Sequence, residues 1–402
     1  MSANVMNNDK WKTLACLVPG TALGLLCSAT LVFGTAGCRS SGSGQSIDSG
    51  NTDVGGPQGA KTDAASDPVS GKSLDQVPVD LPPLDYFVGQ CRWPYMNAPV
   101  PVDAGMQLHG LTVLATGLPS ALALEADANN AYFATATGIF RLPLAGGTPE
   151  SMVTHAAPVN TAIDGDNLYW SDTSISGQTS ILSVPLSVSG WQAFAGDAGA
   201  TQVATTLASA AGAPHALALA NGYLYFGAGS TVLRVATTNG TASTVITGIT
   251  PTGIAVGTDK IYLGEPSDET IWVVGLAGAS AGVVSEYIFS DAQPSGVALS
   301  EGDLYWGDWF GSLEHVTLAK AHTANYLRTA GCDSSACEFY VRPYSGGAVW
   351  ADGDGDCGNI GTARPDGSSY FAVGLSPIGG IATYGSHLYA ITTIGELLRW
   401  DL

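Results

Sequence analysis

The chain has 402 residues, of which 45% are hydrophobic, only 12% are charged and 52 are Gly. Glu, Lys and Arg are too scarce to clothe solvated helix faces, which argues against a helical protein and for many short strands joined by Gly-rich turns. The formal net charge of −20, from 34 acidic and 14 basic residues with no Lys/Arg cluster, repels phosphate backbones and argues against nucleic acid as a partner.

The first segment reads as an export signal. Lys10 and Lys12 give a short positive region, and Thr13 to Gly37 is a run of 25 uncharged residues ending in Thr35-Ala36-Gly37-Cys38. Small residues directly before Cys resemble the lipobox of bacterial lipoproteins. That resemblance implies that residues 1–38 are a signal ending at a lipidated Cys38, which becomes the mature N-terminus and anchors the protein to a membrane. Thr35 departs from the family, where Leu, Val or Ile is usual. Arg39, rather than Asp, follows Cys38; by the same resemblance this implies an outer-membrane lipoprotein of the bacterial cell envelope. Two other readings are a conventional cleaved signal and an uncleaved anchor, for which the uncharged run is long enough.

Residues 39–80 (RSSGSGQSIDSGNTDVGGPQGAKTD and onward) hold almost no large apolar side chain, so they predict a disordered Gly/Ser-rich tether. Residues 81–110 form an N-terminal extension. From residue 111 a unit recurs. Its copies begin at Pro119, Pro158, Pro214, Pro251, Pro294 and Pro377, and a divergent one contains SGGAVWADGDGDCGNIGTARPDG. The central position of the seven is Tyr132, Tyr169, Tyr225, Tyr262, Tyr305, Val349 and Tyr389, with spacings of 37, 56, 37, 43, 44 and 40. A period near 40 with several short strands per unit marks an all-β propeller blade, so residues 111–402 predict a β-propeller of seven four-stranded blades. The long spacing predicts an insertion around Trp191 to Ala200. The seventh copy stops at its third strand, so Leu111–Thr116 is predicted to pair beside Leu397–Asp401 and close the ring, removing free strand edges.

The strings LYWSD and LYWGD resemble the YWTD propellers of lipoprotein receptors, and equally the NHL-type and gluconolactonase-like propellers of bacteria. The resemblance covers about 290 residues. It implies that Tyr169, Trp170, Tyr305 and Trp306 pack between blades, and that Asp172 and Asp308 tie loops to a neighbouring blade. Receptor propellers of this kind have six blades, which leaves six as the alternative count.

Chemistry is sparse. Gly278-Ala279-Ser280-Ala281-Gly282 matches a nucleophile elbow, and Gly353, Gly355 and Gly358 a dinucleotide fingerprint, but neither stands at a strand-to-helix turn. Asp352, Asp354 and Asp356 alternate in a Gly-rich stretch read as a loop, where they form a weak Ca²⁺ candidate aided by Asn359. No other cofactor is implied, and the six His residues show no metal-ligand spacing. Cys91, Cys332, Cys337 and Cys357 are an even set in an oxidising compartment and predict two disulfides. Cys357 is read as pairing with Cys332 or Cys337 and Cys91 as tying down the extension, with a local Cys332–Cys337 bridge as the rival. The function read from all this is a monomeric cell-envelope lipoprotein, more readily non-enzymatic than catalytic. Its propeller would bind or scaffold a protein or glycan on the face formed by the loops with Asp268, Trp309 and Asp352–Asp356. The alternative is a metal-dependent hydrolase or lactonase of the gluconolactonase-like class.

Overall fold

The computed structural model describes residues 111–195, 202–238, 240–277, 281–289, 293–308, 312–319, 325–329, 338–354, 357–366, 369–375 and 377–402. The signal, tether and extension at 1–110 lie outside the described residues. The strands group into seven antiparallel sheets, each with its sequence-first strand innermost except the last. Blade 1 runs through Ala123–Ala126, Asn130–Thr135, Gly138–Pro143 and Glu150–Thr154, and blade 2 through Pro158–Ile163, Asn167–Asp172, Gln178–Pro185 and Thr205–Ala211. Blades 3 to 6 begin with Pro214–Ala220, Gly253–Val256, Pro294–Ser300 and Glu338–Tyr344. Blade 7 holds Ile378–Tyr384, His387–Thr392 and Leu397–Asp401, and its outer strand is Thr112–Ala115 from the other end of the chain. The chain folds as a seven-bladed β-propeller.

The ring closure is the predicted one: Thr112 pairs with Arg399, Val113 with Leu398 and Ala115 with Leu397. The predicted insertion also has a defined place. Between the third and fourth strands of blade 2 it reaches back to blade 1, where Trp191–Gln192 adds a fifth, parallel strand beside Val153 and Thr154. Arg141 fastens this strap, donating to Leu186 O at 2.8 Å and to Glu150 Oε2 at 2.6 Å, while Ser189 donates to Glu150 Oε1.

Each of the seven apolar clusters lies between two adjacent blades rather than inside one sheet. The period-2 alternation of the second strand produces this. Its central residue (Tyr132, Tyr169, Tyr225, Tyr262, Tyr305, Val349 and Tyr389) packs toward the following blade. The next residue, such as Phe133, Trp170, Phe226, Trp306 or Trp350, packs toward the preceding one. The residue after that must be small where the neighbour's inner strand comes close. A Cβ on Gly307 would lie 2.0 Å from the Phe339 ring, and one on Gly264 would lie 3.1 Å from Val297.

Closure by a strand from the opposite terminus gives a direct test. Val113 packs against the cluster between blades 6 and 7, whereas Thr112 points to solvent. Val113→Asp is expected to cost about 2–3 kcal/mol and to lower the melting temperature by roughly 5 °C, while Thr112→Asp shifts it by about 1 °C or less. Differential scanning calorimetry of the two variants measures this.

Candidate functional site

The residue three after the central one in each second strand is buried at one end of the ring: Thr135, Asp172, Ala228, Glu265, Asp308, Asp352 and Thr392. Asp172, 1% exposed, accepts from Ala157 N at 3.0 Å, from Trp170 Nε1 at 3.0 Å and from Ser174 N at 2.8 Å. It thus binds the loop leading into blade 2 and the loop between that blade's second and third strands. Glu265 does the same in blade 4, accepting from Thr250 N and from the amide and hydroxyl of Ser267. Asp172 and Glu265 thus tie loops to their blades, the role implied for Asp172.

Asp352 stands at the same repeat position, in a strand rather than in the loop read from the sequence. It lies within the strand Gly347–Asp354, 1% exposed, and Asn359 donates to it from N at 2.7 Å and from Nδ2 at 2.8 and 2.9 Å. The physical reason is the repeat register: Asp352 stands three residues after Val349, as Asp172 does after Tyr169. Asp354 ends the same strand, and Asp356 lies outside the described residues. A cation there would have to compete with Asn359 for the Asp352 carboxylate. Among the described residues no group of three or more His, Cys, Asp or Glu is arranged to hold a metal. Asp268 is exposed in the turn Pro266–Asp268, on the same end of the ring as the buried acids. Trp309, Cys91, Cys332 and Cys337 lie outside the described residues, as does Cys38, and Cys357 opens the strand Cys357–Ala363.

The histidines read as scattered have structural surroundings. His215 is half-buried, and desolvation lowers its pKa against the opposing charge of Glu265. His315, 3% exposed, stacks on Tyr305 with ring centroids 4.9 Å apart and meets Asp303 Oδ1 at 3.0 Å.

The feature that sequence reasoning missed is on the axis. A cavity of about 280 Å³ is walled by inner strands of blades 1 to 6, mostly by Ala, Leu, Ile and Val. Only Glu125 and Arg342 among its lining residues carry charge. They occupy one repeat position, the inner-strand residue paired with the central residue of the second strand. The seven occupants are Glu125, Ala162, Ala218, Ala255, Ala298, Arg342 and Ala382. Five alanines, one acid and one base therefore ring the channel at a single level, with the charged pair flanking blade 7. Burial raises the Glu125 pKa to about 7, although the Arg342 charge and a hydrogen bond with the Thr161 side chain both favour its ionised form. Thr161 lines the same cavity and is 5% exposed.

No family model and no curated protein matches the chain. Among solved structures it is similar to a catalytically inactive form of virginiamycin B lyase from Staphylococcus aureus with quinupristin (TM-score 0.55, 12% identity, 73% of this chain and 99% of that one). It is also similar to the WD40 propeller domain of Doa1 (0.56, 14%, 73% and 97%) and to YCF48 bound to D1 peptide (0.50, 10%, 73% and 94%). At these identities the likeness establishes the propeller fold.

The channel carboxyl makes stability depend on pH. Its folded pKa lies above the unfolded value, so the folded state holds the proton more tightly between about 4.5 and about 7. Stability is then fullest below that window and falls as pH rises through it, by about 1–2 kcal/mol once screening by channel water is allowed for. Glu125→Gln is expected to flatten this decline and to melt at a higher temperature than the parent chain at pH 8, as read by thermal melts from pH 5 to 8.

Proposed function

We propose that this protein is a cell-envelope lipoprotein whose propeller works as a non-catalytic binding or scaffolding module for a protein partner. The observation that carries the reading is the use of the repeat's acids. Asp172, Glu265 and Asp352 are buried and accept hydrogen bonds from loops and neighbouring strands. A metal-dependent hydrolase of the gluconolactonase-like class gathers carboxylates on the axis; here the cavity wall carries one carboxylate, with a guanidinium on the same level. The acids instead fix the loops at one end of the ring, and loops held on a rigid scaffold form a recognition surface. Exposed Asp268 stands on that surface. A propeller of like fold, YCF48, has been seen bound to D1 peptide, which supports a protein partner on such a scaffold.

The envelope location rests on the uncharged run before Cys38. The proposal places the lipid on the Cys38 sulfur, residues 39–80 as the tether, and the propeller held off the membrane by it. Calcium at Asp352–Asp356 is not required by this reading.

A photo-crosslinking residue at Asp268 tests the binding face against one at Asp166 on the opposite end of the ring, in cells of the source bacterium. The expected result is a discrete protein adduct from Asp268 alone, and metabolic labelling with a fatty acid that is lost in Cys38→Ser. Adducts from Asp166 alone would contradict the assigned face, and labelling that persists in Cys38→Ser would contradict the anchor.

A further inference from the structure

The end of the ring that carries Asp268 also exposes bulky aliphatic side chains, and it does so on one side only. Leu122 and Val159 hold the same repeat position, three residues before Glu125 and Ala162 on the inner strands of blades 1 and 2. They are 47% and 37% exposed. Blades 3, 4, 5 and 7 carry His215, Thr252, Ser295 and Gly379 at that position, and Phe339 of blade 6 is buried between blades 5 and 6. Ile175 and Ile394, 45% and 55% exposed, stand in the turns that join the second and third strands of blades 2 and 7. Four aliphatics thus lie open on three consecutive blades, 7, 1 and 2.

Backbone hydrogen bonds hold them in place. Thr173 N donates to Ala157 O at 3.1 Å, which locks the Ile175 turn to the entry of blade 2. Thr393 N donates to Pro377 O at 2.7 Å and Leu118 N to Gly395 O at 3.0 Å, which locks the Ile394 turn between the entries of blades 7 and 1. Aliphatics scattered singly over a surface need no explanation, whereas a group of them on rigid loops marks a place where something docks.

The charges at this end are of one sign. Glu396 is half-buried two residues from Ile394, Asp268 and Glu269 are exposed on blade 4, and Glu338 and Asp354 stand at the same end of blade 6. Exposed His155 is the other titratable group in the described loops of blades 7, 1 and 2 at this end. The described loops here hold no Lys or Arg, whereas Lys260 and exposed Arg364 lie at the opposite end. Residue 111 also joins the ring at that opposite end, because Thr112–Ala115 runs antiparallel to Leu397–Asp401.

We propose that the Asp268 end of the ring docks a basic, amphipathic segment of a protein partner. Its apolar side chains cover Leu122, Val159, Ile175 and Ile394, and its Lys or Arg side chains lie over Glu396, Asp268 and Glu269. Charge complementarity selects this occupant, since the same acids repel an anionic lipid surface. The partner chemistry rests on the reading of the propeller as a protein-binding module.

Fluorescence anisotropy of the full chain with a panel of labelled synthetic peptides, composed of Leu, Ile, Lys and Arg in different orders, tests this. Control panels carry Glu in place of the basic residues or Ser in place of the apolar ones. The best basic amphipathic peptide is expected to bind with a Kd on the order of 10 μM, and both controls at least about tenfold more weakly. Ile175→Ser with Ile394→Ser is expected to weaken binding about tenfold, and Asp268→Asn with Glu269→Gln about threefold. Asp166→Asn, at the opposite end, is expected to change it less than about twofold, and melting curves check that each variant is folded. No binding of any basic amphipathic peptide at about 1 mM would overturn the proposal. So would equal binding of the Glu peptides, indifference to the paired Ile substitutions, or binding to phosphatidylglycerol vesicles that those substitutions abolish. A discrete protein adduct at Asp268 in cells, with no selection among these peptides, would keep the binding face and remove the basic partner.

Discussion

Seven separate sheets have to be held face to face around an axis, and in blades 2 and 4 the joint depends on the buried acid at the end of the second strand. Asp172 shows how it works. One carboxylate fixes the loop arriving from the previous blade, the loop leaving its own second strand, and the indole of Trp170 two residues back. Without it, the Trp170 indole N–H would be buried unpaired, at a cost on the order of 1–3 kcal/mol, and two backbone amides would lose their acceptor. The aromatic alternation next to it then has a fixed frame. Tyr169 packs toward blade 3 and Trp170 toward blade 1, and the same division recurs around the ring. No sheet has a core of its own, so the seven shared clusters couple every blade to its neighbours, and the Thr112–Ala115 strand makes that coupling cyclic.

This arrangement separates structure from chemistry. The repeat's acids are drawn outward, to the joints between loops and blades, and the axis is left to the inner-strand residues. Most of those are Ala, Leu, Ile and Val, which makes the few exceptions informative. Glu125 and Arg342 are carried by blades 1 and 6, on either side of the blade that is completed by both ends of the chain. The ends of the ring are loops on a rigid frame, and the axis encloses a cavity of about 280 Å³.

The repeat architecture was legible because the blade imposes a residue pattern that survives divergence. The central aromatic position of each unit and a period near 40 gave seven copies, and the missing fourth strand of the last copy pointed to Leu111–Thr116. The target of the insertion was not legible, since only the fold shows that Trp191 meets Val153. Asp352 was misplaced because alternating Asp and Gly look like a metal loop, although its offset from Val349 already matched that of Asp172 from Tyr169. Glu125 was hidden in the run Leu122–Ala126, where one acid among Ala and Leu reads as an exposed strand residue. Arg342 precedes the segment that defines the sixth copy, so nothing in the alignment set it beside Glu125. Two side chains on strands more than 200 residues apart meet at one level only because the ring closes.

The central claim is that the repeat's buried acids hold loops and blades together. A double-mutant cycle on Asp172 and Trp170, measured by denaturant unfolding of Asp172→Ala, Trp170→Phe and the pair, tests it most directly. Asp172→Ala is expected to cost about 3 kcal/mol or more, with about 1 kcal/mol of coupling to the indole. An Asp172→Ala chain as stable as its parent, with no coupling to Trp170, would contradict the account and return these acids to the list of functional groups.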